Sequence, residues 1–316
     1  MVFKPNPAAF VLAPGDNLYE VGVQNATDPL WKDAWRDVWL IEPSLRVPWF
    51  AALGNHDYAC GEDGASARVD RDASDDDDEW HLPARPVDTV WWADVAIVVV
   101  YTVFLGPGEV KQSHYLRGER RVMEALAAVD AAFARAAANA TYLVVAGHYP
   151  IRSVGEHGDT LQLVHLLLPV LRRRRFDLCV CDHDHALQHI VADDINCVVS
   201  GNGAKTSGYF QEFAARDQPS FKSLEHGFAA REVFEDDPKT TFIFFDNGTP
   251  LYSFSLPPPV ALSVVLTVFG LSLRHGYARV DKGNNLAVEL EAGLDDQRHG
   301  PDWEEDSSVL PQHAFV

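Results

Sequence analysis

Residues 13–22 read Ala-Pro-Gly-Asp-Asn-Leu-Tyr-Glu-Val-Gly, and the reading of this run decides the reading of the chain. It follows the apolar segment Ala8–Ala13 and interrupts it with Pro14-Gly15, the mark of a buried strand ending in a turn. At that turn stand a carboxylate (Asp16), an amide (Asn17) and a phenol (Tyr19). Side chains at such strand ends line the rim of an α/β sheet, where sites are usually built. Three more apolar segments end in the same way, at Gly54-Asn55-His56-Asp57, Gly147-His148-Tyr149-Pro150 and Asp182-His183-Asp184-His185. One Gly-Asp-Asn is an ordinary Asx turn, and one His-x-His is more often structural than metal-binding. Four such clusters in series are a set of oxygen and imidazole donors that suits a hard-to-borderline metal. They point to a shared metal site, with two positions rather than one.

The segments GDNLY, GNHDY, GHYPIRS, EHG and HDHALQ resemble the calcineurin-like metallophosphoesterases, and within them the small purple acid phosphatases, also called tartrate-resistant acid phosphatases. The resemblance runs from about Phe10 to Leu256 and takes in SGNGAK at Ser200–Lys205. It implies an α/β fold, a four-layer αββα sandwich of two mixed sheets. It implies that Asp16 bridges two metals, that Tyr19 and His185 hold the first, a ferric ion, and that Asn55, His148 and His183 hold the second, which is Fe(II), Zn or Mn. His56 and His157 are implied to be catalytic, beside the substrate phosphate and its leaving group. The implied activity is hydrolysis of small phosphomonoesters in acid. The alternatives are a phosphodiesterase or nucleotide pyrophosphatase on the same site, and a non-catalytic, membrane-anchored remnant.

Three departures from the family pattern stand out. The family's first motif, Gly-Asp-x-Gly on a first strand, supplies a further ferric ligand and has no match before Asp16, so the resemblance implies a chain lacking that strand and any signal peptide. Asp182 stands where the family has Gly before His-Asp-His, a turn that Asp tolerates. Tyr101-Thr102 replaces the usual Asp-Thr, and a local structural effect is expected.

A chain of 316 residues can bury one large core or two small ones. Its formal net charge of −20 argues against a nucleic-acid partner, which calls for basic patches. Four cysteines (Cys60, Cys179, Cys181, Cys197) lack zinc-ribbon spacing and read as buried thiols, with one disulfide as the alternative. Sequons at Asn25, Asn139 and Asn247 lean toward a secretory route. With the resemblance, that places the protein outside the cell or in a lysosome- or vacuole-like lumen. Oligomeric state is not legible.

Along the chain, Asp28–Ile41 reads as a helix with Trp31, Trp35, Val38 and Trp39 on one face. Leu45–Leu53, Val95–Phe104, Tyr142–Ala146 and Phe176–Cys181 read as strands, and Glu119–Asn139 and Thr160–Leu171 as helices. Arg172–Arg175 is a basic helix end favoured by the helix dipole. Asn196–Ser200, Thr241–Phe245 and Leu251–Leu256 are β-rich. Tyr58–Trp80, closing on Asp75–Glu79, reads as a solvated, partly disordered loop, and the resemblance implies a loop that leans over the metal site and represses activity. Residues 1–256 thus form the phosphoesterase domain. Residues 257–273 open with three prolines, and Leu256–Leu273 is an uncharged run at the short limit of a membrane span. It reads as a single membrane anchor in preference to a buried helix or hydrophobic tail. Residues 274–316 read as a polar, acidic, disordered tail.

Overall fold

The strand β1 (Phe10–Ala13) is buried along its whole length and hydrogen-bonded on both sides. In the computed structural model that shows this, the described residues are 8–72, 79–93, 95–106, 119–174, 176–211, 219–233, 239–244, 248–256, 264–268, 278–280 and 288–290. On one side of β1 lie β2 (Trp49–Ala51) and β3 (Trp80–His81), each parallel to its neighbour. A second sheet holds β4 (Val87–Trp92), β5 (Val95–Val100), β6 (Tyr142–Ala146), β7 (Leu178–Cys181), β8 (Leu187–Ala192), β9 (Ile195–Ser200) and β10 (Phe221–Ser223). Its order is β10-β8-β9-β7-β6-β5-β4, with β5, β6, β7 and β9 parallel. The first sheet continues through β11 (Gly227–Val233), β12 (Lys239–Phe244), β13 (Pro250–Ser255) and β14 (Val264–Val268), in the order β13-β12-β11-β14-β1-β2-β3. Both sheets are mixed, and β11 packs over β8 and β9 to form the layer between them.

The tryptophans expected on the first helix are core. A turn of wide helix, Trp31–Arg36, runs into α1 (Asp37–Trp39), and Asp28 accepts the backbone N–H of Leu30 at 2.9 Å at its start. Trp31 and Trp35 meet Trp80 edge-on, with centroids 5.2 and 5.4 Å apart. Offset and edge-to-face pairs of this kind add to the burial of large rings. The helix α3 (Glu119–Asn139) covers β4 and β5, and Val129, Ala132, Phe133 and Ala136 face inward. The expected helix over Thr160–Leu171 divides into α4 (Leu161–Leu166) and α5 (Leu168–Arg172). Pro169, at the start of α5, has no N–H to continue the ladder.

Two expectations are corrected. The segment after Tyr58 is not all loop: Gly61–Asp72 is the helix α2, with Ala65, Ala67 and Arg68 buried. The residues it buries are small or charged, so it leaves little apolar periodicity to read. Its acidic end, Asp75–Asp78, lies outside the described residues. The second correction concerns the anchor and the domain boundary at 256. Val264–Val268 is a strand between β1 and β11, parallel to the first and antiparallel to the second. Buried parallel strands and short membrane segments are alike continuous apolar runs. No helix among the described residues is long and apolar enough to cross a membrane. The tail expected to be disordered contains the paired strands β15 (Ala278–Val280) and β16 (Val288–Leu290); the rest of it lies outside the described residues. All four cysteines are free thiols, and Cys179 sits beside Cys197 on adjacent strands.

Candidate metal centre

Every cluster singled out in the sequence lies where a parallel strand ends, and the topology brings those ends to one edge of the two facing sheets. β1 delivers Asp16 and Tyr19, β2 delivers Asn55 and His56, β6 delivers His148, and β7 delivers His183 and His185. The glycines before them permit close approach. A side chain at Gly54 would place Cβ 2.1 Å from Asp16 Oδ1. At Gly15, which has a φ of 149°, Cβ would come within 2.6 Å of His148 Nδ1. Only glycine adopts such a backbone freely.

Six donors converge in two overlapping groups. Asp16 Oδ2 lies 3.2 Å from His148 Nε2, which is 2.8 Å from Asn55 Oδ1 and 3.0 Å from His183 Nδ1. Tyr19 Oη lies 3.0 Å from the same carboxylate oxygen, Asp16 Oδ2, and 3.2 Å from His185 Nε2. Asp16, His148 and His183 present ligand atoms that all lie within 4.8 Å of one another. The chemistry of this set fits a cation. His148 Nε2 can carry one proton at most, yet three lone-pair atoms face it, and a metal ion satisfies all four together. The phenol, carboxylate and imidazole of Tyr19, Asp16 and His185 form a second group around the same carboxylate, with three members against four.

The charge balance agrees. Burial works against ionisation of Asp16, but His148 beside it, with His56 and His183, holds the carboxyl well below the usual range. Burial also pushes His183 well below the ordinary imidazole value. Burial and Lys205 bring His185 down to about 4. Both rings are therefore neutral, as metal ligation requires. His148 goes the other way. Burial disfavours its charge, yet Asp16 and Asp182 outweigh it and push the ring up to about 10. The same two carboxylates would favour a metal ion as they favour a proton.

The two residues expected to be catalytic flank this cluster. His56 stacks on Tyr19 with centroids 4.5 Å apart, and its Nδ1 is 2.6 Å from the Glu20 carbonyl. His157 lies 4.3 Å from the His183 ring, with Nδ1 2.9 Å from Asp184 Oδ1. Since a carbonyl and a carboxylate only accept, Nδ1 carries the proton in both rings.

Three supporting groups were not recognised from sequence. Asp57 Oδ2 accepts the N–H groups of Gly54 and Asp16 at 2.8 and 3.1 Å, and its Oδ1 meets Arg68 Nη1 of α2 at 2.7 Å in a fully buried pair. Asp184 holds His157 by ring and backbone and accepts a bond from Ser153. Asp182 touches His148 Nδ1 at 2.8 Å. Each acid lay inside a quoted motif, but a motif does not say which acid faces the centre and which holds a neighbour. Arg68 carried no signal beyond being one of few bases in an acidic segment. Tyr101, the third departure, is buried and donates its hydroxyl to the Pro83 carbonyl, a local structural role.

Residues 1–187 match the family model described as calcineurin-like phosphoesterase. The chain is similar to tartrate-resistant acid phosphatase type 5 of Sus scrofa, with 36% identity over 275 residues, covering 79% of this chain and 76% of the relative. It is similar to purple acid phosphatase 3 of Arabidopsis thaliana, with 30% identity over 242 residues, covering 74% of this chain. That match spans 64% of the plant protein's own length. Among solved structures, it is similar in fold to one described as GAP50, the anchor in the inner membrane complex of Plasmodium. That match has a TM-score of 0.67 and 22% identity, and it covers 79% of this chain and 78% of the other.

Proposed function

The chain belongs to the calcineurin-like phosphoesterase family, with the purple acid phosphatases as its relatives, and on that footing we propose that it hydrolyses small phosphomonoesters in acid. Members of the family depend on a binuclear metal centre. The observation that carries the reading is the convergence of Asp16, Tyr19, Asn55, His148, His183 and His185 on one pair of strand-end positions. Asp16 would bridge, Tyr19 and His185 would hold a ferric ion, and Asn55, His148 and His183 would hold Fe(II), Zn or Mn. The chemistry a bound pair supplies is neutralisation of the phosphate and a nucleophile at mild pH. Burial suits the acid range, because His185 takes a proton only near about pH 4.

The two flanking histidines do the proton work in this proposal. With Nδ1–H held at Glu20 and Asp184, each ring would use Nε2, as an imidazolium, to donate to a phosphate or leaving oxygen. Replacing His56 by alanine should leave the metal content unchanged and lower kcat by roughly 10²–10⁴, the usual worth of a placed general acid. Metal analysis beside steady-state kinetics checks this. Loss of metal in that variant would mean that His56 belongs to the ligand set.

The tyrosine group has three members and the histidine group four, so purified protein should retain about one metal per chain with little violet colour. Two tightly held metals and a strong tyrosinate-to-iron band would show that a further residue completes the first position. The activity itself is tested by comparing turnover of p-nitrophenyl phosphate and bis(p-nitrophenyl) phosphate near pH 5 in metal-loaded protein. Preference for the diester would favour the phosphodiesterase alternative. No turnover of either would favour a second reading, a metal-binding protein with an anchoring role; the three-member tyrosine group favours it. Exposed sequon residues Asn25 and Asn139 support a secretory route for either reading.

A further inference from the structure

The acid that departs from the family pattern faces the centre through a ligand. Asp182 is 4% exposed and lies at the end of β7, beside the end of β6 that carries His148. The backbone N–H groups of Asp182 and His183 approach the His148 carbonyl at 3.3 and 3.2 Å, so the two strand ends are already locked. Asp182 Oδ1 lies 2.8 Å from His148 Nδ1. The ring has little slack there, because Gly15 packs so closely that a Cβ on it would collide with Nδ1. His148 is itself 1% exposed, which leaves water little access to its Nδ1.

We propose that Asp182 is a positioning residue for metal binding: its buried carboxyl group, 2.8 Å from His148 Nδ1, holds the ring and aims Nε2 at the point shared with Asp16, Asn55 and His183. The effect is one of direction. A neutral imidazole has one lone pair, and the partner of its other nitrogen decides which way that lone pair points. A carboxylate partner also makes the ring more basic and a better donor to metal, and losing such a partner commonly costs 10–100-fold in metal affinity. With His148 and Asp182, the centre would be held by a carboxylate–histidine–metal relay in the place where the family pattern has a glycine without a side chain.

The proposal rests on the metal-centre reading, and the test separates the two. Cobalt(II) binding to the full chain is followed by its visible absorption and by calorimetry in wild type, Asp182→Ala, Asp182→Asn and His183→Ala. Asp182→Ala, which removes the partner of His148 Nδ1, should weaken cobalt binding by about 10–100-fold. Asp182→Asn keeps the shape and the acceptor, guards against a folding loss, and should fall between Asp182→Ala and wild type. In zinc-loaded protein the ring-nitrogen NMR signals of His148 should show Nε2 on the metal and Nδ1–H in a strong hydrogen bond, and the Nδ1–H signal should move in Asp182→Ala. Binding by both Asp182 variants equal to wild type, with His183→Ala impaired, overturns this proposal and leaves the metal centre standing. No cobalt binding by wild type overturns both.

Discussion

Replacing His183 by alanine should empty the histidine-side metal position and abolish turnover, lowering kcat/KM by more than about 10³-fold. His183 Nδ1 is 3.0 Å from His148 Nε2 in the only cluster of acids and imidazoles among the described residues whose ligand atoms fall within 4.8 Å of one another. Without it, Asp16 and His148 remain as a carboxylate and an imidazole that pair with each other, 3.2 Å apart, and compete with a cation instead of binding it. Melting temperature before metal loading should change little, because the side chain faces the cluster and leaves the apolar core intact. Metal content, apo-protein melting and kinetics together make the check. Wild-type metal content with wild-type kcat would remove His183 from the centre.

Ending the chain after Leu256 should prevent folding. The deletion takes away β14, which pairs with β1 from Phe10↔Leu266 to Leu12↔Val268 and with β11 from Ala229↔Val268 to Val233↔Val264. It would leave two strand edges facing a gap in the middle of the first sheet, beside Phe10 and Val11, which are 0% exposed. Buried polar groups without partners cost about 1–3 kcal/mol each, and a gap of this length strands several. That loss alone rivals the 5–15 kcal/mol by which a typical domain is stable. The truncated protein should aggregate or show no cooperative thermal transition by circular dichroism. A soluble, cooperatively melting, metal-binding product would mean that the sheet closes without β14.

The legible part of the site was chemical, and the illegible part was supportive. Asp16, Tyr19, Asn55, His148, His183 and His185, which would hold the metals, could be singled out because a metal centre calls for such donors, and each stands at the break after an apolar run. Asp57, Asp182 and Asp184 lay in plain view within the same motifs, but their task is to hold backbone or rings, and any hydrogen-bonding acid could be doing that. Arg68 was hidden more deeply, since its helix buries alanines and an arginine and shows little periodic stripe. The fold class could be read from alternating strands and helices. The strand Val264–Val268 could not, because eighteen uncharged residues look alike whether the apolar surroundings are lipid or two neighbouring strands.

The same strand sets a timetable for synthesis. The ribosome makes β1 about 250 residues before its neighbour β14 (Phe10 pairs with Leu266), so the strand leading to Asp16 emerges long before its second partner exists. Closing so long a loop costs only a few kcal/mol in chain entropy, yet such distant pairings slow folding and leave apolar edges waiting. β1 must therefore be sheltered, by β2 or by a chaperone, until the C-terminal region has been made. Metal can enter a finished site only after that. Expression hosts that stall or clip the nascent chain in this region should yield insoluble protein, whatever metal the medium provides.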